Sequence, residues 1–349
     1  MGHRRAIHGA LRLVPLSTIG FAEQEPSDTV PAVPNHAPVD RRIWLNGQFV
    51  PWHEATVHVL SHSLQRGSLV FDYTGVHQTV RGPGIFRLDV HVARLLHSCQ
   101  LMGLPLAYGQ AEIEAAIIET VRANPGSRAV KASAFYASVE VDVVPLDRRV
   151  SLAIAAYDPQ ADILAHLPGP PRARPRTVRL WLEKKTHQRR EDIVSPQAKV
   201  SANYASGMMA KSLALKAGFD EVLFVNEDDQ LAEGPTTNLF VVDATGRVRT
   251  PPEQRVLRGV TRLSVIELAH SDGIAVDEAD IAPHELTTAR EVFLTGTTAG
   301  VLPVESVDGR PVGETCPGPV ATRLGDRLRL TLTGEAPGFE HWLTYVQPQ

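Results

Sequence analysis

Ser195-Pro196-Gln197-Ala198-Lys199-Val200-Ser201-Ala202-Asn203-Tyr204, followed at a distance by Glu233-Gly234-Pro235-Thr236-Thr237-Asn238-Leu239-Phe240, decides how this chain is read. The first run leads into residues 202–217, rich in Ala, Met and Leu, which favour a helix. Two strands are expected next, over 221–226 and 238–243, with a turn and the Glu233-Gly234 pair between them. Lys199 thus stands before a helix and Glu233 beside a strand.

Working outward, a strand is expected at 177–183, a helix at 261–270, a strand at 291–295 and a long helix at 319–332. Towards the N-terminus, residues 158–174 are dense in Pro, Gly and Ala and read as an interdomain linker. Before them, apolar residues flank Asn46-Gly47 over 43–50, the strongest short-range hairpin signal. Strands follow at 68–79 and 84–87, then an amphipathic helix at 89–102 with Val92, Leu95, Leu96 and Cys99 on its apolar face, a second helix at 110–123, and strands at 129–139 and 150–157. Helices and strands mix without strict alternation, which argues for an α+β fold over a doubly wound parallel sheet.

A length of 349 residues suits two domains, each with its own core. We expect a small α+β domain over 41–157, the linker over 158–174 and a larger domain over 175–349. Residues 1–40 carry a basic start, an apolar patch broken by Pro15 and a Pro-rich stretch, and are expected to be a disordered N-terminal extension rather than an export signal. The net charge of -4, with Lys and Arg scattered, gives no footprint for nucleic acid. Cys99 and Cys316 lack metal-ligand spacing, so neither a disulfide framework nor a metal site is expected, and a cytoplasmic setting fits. No stretch approaches the roughly 20 apolar residues that cross a bilayer, so no membrane association is expected.

Further segments accompany the two opening runs: Leu257-Arg258-Gly259-Val260-Thr261-Arg262, Thr295-Gly296-Thr297-Thr298-Ala299, Pro303 to Gly309, Gly318-Pro319-Val320, and upstream Phe86-Arg87 with His91-Val92-Ala93-Arg94-Leu95. Together, and in this order from Arg42 to Val346, they resemble the fold type IV pyridoxal-phosphate enzymes, and within them the branched-chain aminotransferases. The resemblance implies a two-domain architecture with a small α/β sandwich domain and a larger β-rich, cofactor-binding domain. It implies pyridoxal 5'-phosphate as cofactor, an L-amino acid and a 2-oxo acid as substrates, and at least a homodimer.

The resemblance also assigns residues, and each assignment has a physical reason. Lys199 is the catalytic lysine: only a free amine attacks an aldehyde, and the same amine can then carry a proton at the substrate α-carbon. Glu233 is the carboxylate that keeps a pyridine nitrogen protonated, with Gly234 permitting close backbone approach. Tyr204 matches the tyrosine that bonds the ring's phenolic oxygen. Gly259, Val260 and Thr261, after Leu257, lie where a helix starts and can offer N–H groups and a hydroxyl to a phosphate. Arg94 matches the phosphate arginine, Thr297 a further phosphate contact, and Thr298 with Ala299 the holders of the substrate carboxylate. Taken singly, Lys199 and Arg94 read as solvated surface residues, Glu233 as a turn acid and Tyr204 as packing; their shared order lifts them.

The pocket wall departs from the branched-chain pattern, in which Phe is followed by Glu, Gly, a variable residue and Arg. Here the run is Phe71-Asp72-Tyr73-Thr74-Gly75, with Arg66 and Lys131 at positions the family fills otherwise. We therefore expect Phe71, Tyr73, Arg66 and Lys131 to shape a more cationic side-chain pocket, or else Arg66 and Lys131 to face solvent or pair with Asp72. Two other activities stay open: a lyase of the aminodeoxychorismate type, and a non-catalytic scaffold.

Overall fold

The computed structural model describes residues 39–167, 175–184, 190 and 192–347. The expected N-terminal extension, apart from its last two residues, and the last seven residues of the expected linker lie outside them.

The hairpin forms as the sequence dictates. β1 (Arg42–Leu45) and β2 (Gln48–Pro51) pair antiparallel, and Asn46 and Gly47 both take positive φ, 49° and 92°, as a two-residue type I′ turn requires. Helix α1 (His62–Arg66), β3 (Val70–Thr79), β4 (Gly82–Phe86), helices α2 (Leu88–Leu101) and α3 (Gln110–Ala123), β5 (Ala129–Phe135) and β6 (Ser151–Tyr157) follow. With a C-terminal strand, β15 (Leu343–Tyr345), these make a seven-stranded antiparallel sheet, β15-β4-β3-β5-β6-β1-β2. Its period of two is plain in β6, where Leu152, Ile154 and Ala156 are buried against Val92, Leu95, Ile113 and Ile117 of α2 and α3. On β3 the same stripe reads Val70, Asp72, Thr74, Val76. A carboxylate in such a stripe must find partners or cost several kcal/mol.

β7 (Val178–Glu183), α4 (Ala205–Lys216), β8 (Glu221–Phe224), β9 (Asn238–Val242), β10 (Val248–Thr250), α5 (Val260–Ser271), β11 (Val276–Glu278), β12 (Glu291–Gly296), β13 (Gly300–Val307), β14 (Arg310–Pro311) and α6 (Pro319–Leu332) form the rest. The second sheet runs β11-β10-β9-β12-β13-β7-β8 and is mixed: β7 is parallel to β8 and to β13, and β10 to β11. Both faces are covered. Leu239 and Val241 of β9 and Val292 and Leu294 of β12 point into one core, while Phe240 and Phe293, stacked at 5.1 Å, point into another beneath α5 and α6. Burying each such side chain contributes about 1.5–3 kcal/mol. The α+β class holds; the parallel pairs and the long β13 were not legible from local patterns.

Residues 198–201 belong to the first sheet's packing. Phe71 N–H donates to the Lys199 carbonyl at 3.0 Å, Ser201 N–H to Leu69 O at 2.8 Å, and Ala198 and Val200 are buried in the core under α2 and α3.

Candidate active site

Helix α2 presents His91, Arg94 and Ser98, spaced i, i+3, i+7 and so on one face. Ser98 Oγ accepts the backbone N–H of Lys199 at 3.1 Å, which fixes the lysine's main chain. The Lys199 amine donates to Tyr204 Oη at 2.8 Å and lies 5.0 Å from the centre of the Phe71 ring. Burial pushes its pKa down, Tyr204 opposes the shift, and the nearby Arg94 guanidinium lowers it further. The residue keeps partial solvent contact, yet its amine sits among protein groups, so a neutral amine is easier to reach than on a surface lysine.

The opposite wall comes from the second sheet. Glu233 is buried; its carboxylate accepts the Leu257 N–H at 3.2 Å and the Asn238 side-chain amide at 3.0 Å. Asn238 also donates to the Leu257 carbonyl at 2.9 Å and so ties three segments together. Gly234 beside Glu233 has no room for a side chain, since a Cβ would lie 2.5 Å from Thr237 Oγ1 and 3.2 Å from the Val222 carbonyl. Gly259 caps α5 without a side-chain bond, and a Cβ there would stand 2.0 Å from Asn238 Oδ1. The first N–H groups of α5, at Val260 and Thr261, have no intrahelical acceptor by geometry and point a positive dipole end into the cleft.

Asp72 meets its requirement for partners through four bonds. It accepts from His91 Nδ1 at 2.7 Å, Arg94 Nε at 2.8 Å, Arg94 Nη2 at 2.9 Å and its neighbour Tyr73 N–H at 2.7 Å. Burial would raise its pKa, but Arg94 and His91 outweigh burial and hold the carboxyl far below the usual range. His91 is pushed down, chiefly by burial.

Arg94, Lys199, Glu233, Leu257, Gly259, Val260, Thr261 and Thr297 line one cleft, together with Thr236, Thr237 and Asn238. An adjoining chamber of about 300 Å³ shares Thr297 and is lined by Tyr73, Gly75, His77, Arg128, Gln160 and Thr298, among others. The His77 ring folds over Gly75, where a Cβ would meet its Nε2 at 2.4 Å. Burial and then Arg128 lower His77 to about 4, so the ring is neutral at physiological pH. Ala299 follows Thr298 in the turn that joins β12 to β13. Lys131 lies over the Phe71 ring at 4.7 Å but is not among the residues lining either space. Arg66 is not brought there: it is exposed on α1 and donates to the Val141 carbonyl at 2.9 Å. Neither pairs with Asp72, which faces the helix side of β3. Asn238, His77 and Arg128, which line these spaces, were not singled out from the sequence, and Asp72 was considered there only as a partner of Arg66 or Lys131; the 91/94/98 spacing was the available signal for the helix face.

Two roomier hollows, of about 710 and 850 Å³, lie elsewhere, one beside Leu182, His284 and Arg310 and one beside Tyr108 and Arg149. Among the described residues neither is lined by a buried amine next to a buried carboxylate, so size does not locate the chemistry here. No group of three or more His, Cys, Asp or Glu suited to a metal occurs among the described residues.

The family model described as "Amino-transferase class IV" matches residues 70–307. The branched-chain-amino-acid aminotransferase of Pseudomonas aeruginosa is 31% identical over 309 residues, covering 88% of this chain and 98% of that protein. That of Escherichia coli strain K12 is 32% identical over 307 residues, covering 87% and 97%. Among solved structures, a T.th. branched-chain amino acid aminotransferase complexed with N-(5'-phosphopyridoxyl)-L-glutamate superposes with a TM-score of 0.80 at 35% identity, covering 88% of this chain and 99% of that one. The same enzyme complexed with 4-methylvaleric acid gives the same score, 0.80.

Proposed function

The chain belongs to the class IV aminotransferase family, and from that premise we propose which of its residues hold the cofactor, move the proton and admit the substrate. The enzyme is a pyridoxal-phosphate-dependent aminotransferase of the branched-chain type, exchanging an amino group between an amino acid and a 2-oxo acid.

The residues present fit the cofactor. Thr237 Oγ1, in the wall of the cleft, is buried with no hydrogen-bond partner among the described residues, which suits a site that receives oxygen acceptors. A depressed lysine, a buried carboxylate and a helix N-terminus beside an arginine supply the other groups needed. When bound, pyridoxal phosphate supplies an aldehyde for the amino group and a ring that takes up the electron pair released at the substrate α-carbon. Lys199 Nζ would be the free amine that meets the aldehyde, and it is placed to move a proton at the substrate α-carbon. Glu233, its oxygens met by N–H donors, would face a ring nitrogen and favour its protonated form. Tyr204 Oη steers the lysine. Arg94, Val260, Thr261 and Thr297 would hold the phosphate.

The substrate side chain enters the chamber next to Thr297. Its wall is apolar at Pro159 and Leu164 and polar at His77, Arg128 and Gln160, so it suits both an aliphatic side chain and one ending in a carboxylate. Arg128, partly offset by Asp158 at 3.5 Å, is the cation available for the second kind. Thr298 and Ala299 hold the α-carboxylate.

The active unit is a dimer of this chain. Val141, Val143, Val144 and Leu146, 69–90% exposed, form an apolar loop that Arg66 and His62 of α1 meet at the Val141 and Val143 carbonyls, and such a patch marks an interface. No helix among the described residues is long and apolar enough to cross a membrane, and two free cysteines suit a reducing cytoplasm.

The observation that carries this reading is the Lys199 amine, lowered by burial, in one cleft with Glu233 and the start of α5. Borohydride reduction with pyridoxal phosphate, followed by peptide mapping, should label Lys199. Label on another lysine sinks the reading.

A further inference from the structure

The Arg94 guanidinium is held on three sides. Its Nε and Nη2 edge meets both oxygens of Asp72, and Nη1 donates to the Arg258 carbonyl at 3.1 Å. Arg258 precedes Gly259, the cap of α5, so this last bond sets the guanidinium beside the N-terminus of α5. Asp72 has its own orientation fixed by His91 Nδ1, which leaves that imidazole with a defined tautomer when neutral, N–H towards the carboxylate. A carboxylate with four donors on its two oxygens is a poor proton acceptor, and it sits on the helix face of β3 rather than towards Tyr73 and the substrate chamber. Catalysis by Asp72 is thereby disfavoured, and a supporting role remains.

We propose that Asp72, backed by His91, is the positioning residue of the phosphate seat: it locks the Arg94 fork so that the guanidinium faces the anion together with the first turn of α5. The inference rests on the proposed role of Arg94 as a phosphate contact. It is not the obvious expectation from charge alone. Asp72 neutralises Arg94, so by Coulomb's law its removal would strengthen the pull of Arg94 on a phosphate. The structure favours the opposite sign. An arginine on a long stem loses its preorganised direction without the bidentate partner, and the remaining buried cation then lies near the Lys199 amine with nothing opposite it.

The two signs separate in one measurement, the preference of the enzyme for pyridoxal 5'-phosphate over pyridoxal, which lacks the phosphate. Both aldehydes report binding by absorbance as they combine with Lys199. For Asp72→Asn the preference should fall about tenfold, the lower end expected for a charge-assisted bond; any change in the Lys199 amine itself acts on both aldehydes alike and cancels in the ratio. In an Arg94→Ala background the same substitution should cause no further fall, because there is then no fork to position. Asp72→Glu, which keeps the charge, should recover most of the preference. If Asp72→Asn does not fold, His91→Phe, which removes one of the bonds that orient the carboxylate, should lower the preference about threefold. An unchanged or increased preference in the soluble Asp72 or His91 variant overturns the proposal, as does an equal loss with and without Arg94. If Arg94→Ala itself leaves the preference intact, the phosphate role of Arg94 fails instead.

Discussion

Gly259→Ala is the sharpest perturbation the site offers. The added methyl carbon would stand 2.0 Å from Asn238 Oδ1, where real contacts stop at 3.0 Å, so one partner must give way by about 1 Å. The cap of α5 is fixed by its helix, and Asn238 is the part that can move. A shift of that size breaks the bonds of its amide to Glu233 at 3.0 Å and to the Leu257 carbonyl at 2.9 Å. Overpacking costs about 1–3 kcal/mol, and a lost hydrogen bond to a charged group about 1.5–3 kcal/mol. Allowing for relaxation, we expect a total near 2–4 kcal/mol, with cofactor affinity falling alongside because Glu233 loses its orientation. Urea denaturation of the cofactor-free protein gives the first quantity and a spectroscopic titration with pyridoxal phosphate gives the second. Asn238→Ala supplies the control: it removes the obstructing amide, so adding Gly259→Ala to it should cost under about 1 kcal/mol more. Wild-type midpoint and affinity in Gly259→Ala would refute the reasoning, as would full additivity with Asn238→Ala.

Other outcomes follow from the same geometry. Because burial lowers Lys199 from 10.5, the unfolded chain binds more protons than the folded one between the lowered value and 10.5. Stability of the cofactor-free enzyme should therefore rise with pH across that window, and Lys199→Met should flatten this part of the curve in denaturation measured at several pH values. Tyr204→Phe removes the 2.8 Å bond to the lysine while keeping the ring against Phe71 at 5.2 Å; the pH midpoint of the cofactor's visible band should move and kcat should drop about tenfold, whereas an unmoved midpoint would deny Tyr204 its role. Arg128→Gln should raise KM for glutamate about three- to tenfold and leave leucine unchanged; equal effects on both would place the carboxylate of glutamate elsewhere.

How much of this was legible beforehand depends on the range of the interaction. Helices over 110–123 and 319–332 match their expected bounds because their periodicity is local. The strand 300–307 gave no such signal: Pro303 interrupts it, and it is held by β12 on one side and, where Val304 meets Val178, by β7 from far back in the chain on the other. The residues around the lysine were recognisable as ordered motifs. Asp72 was not read correctly, because its partners lie 19 and 22 residues away on a helix and only the pleat decides which face of β3 it takes. For Arg66 the sequence left a pocket wall and a solvent-facing place both open, and the short helix that turns it outward decides for the second. The chamber beside Thr297 is the least legible part, since Gly75, Arg128 and Gln160 come together from separate segments.

The way residues 198–201 are seated has a final implication. Lys199 follows β7 in the chain but is stitched by its main chain to Phe71 and Ser98, whereas Glu233, Thr261 and Thr297 ride on the other sheet. On the proposed assignment, the reactive amine and the groups that would receive the coenzyme stand on opposite banks of the cleft, and a bound coenzyme would span them like a rivet. Prising the banks apart would separate the nucleophile from its electrophile's berth before any helix melted, so loss of colour should come ahead of loss of helical signal when the holoenzyme is slowly denatured.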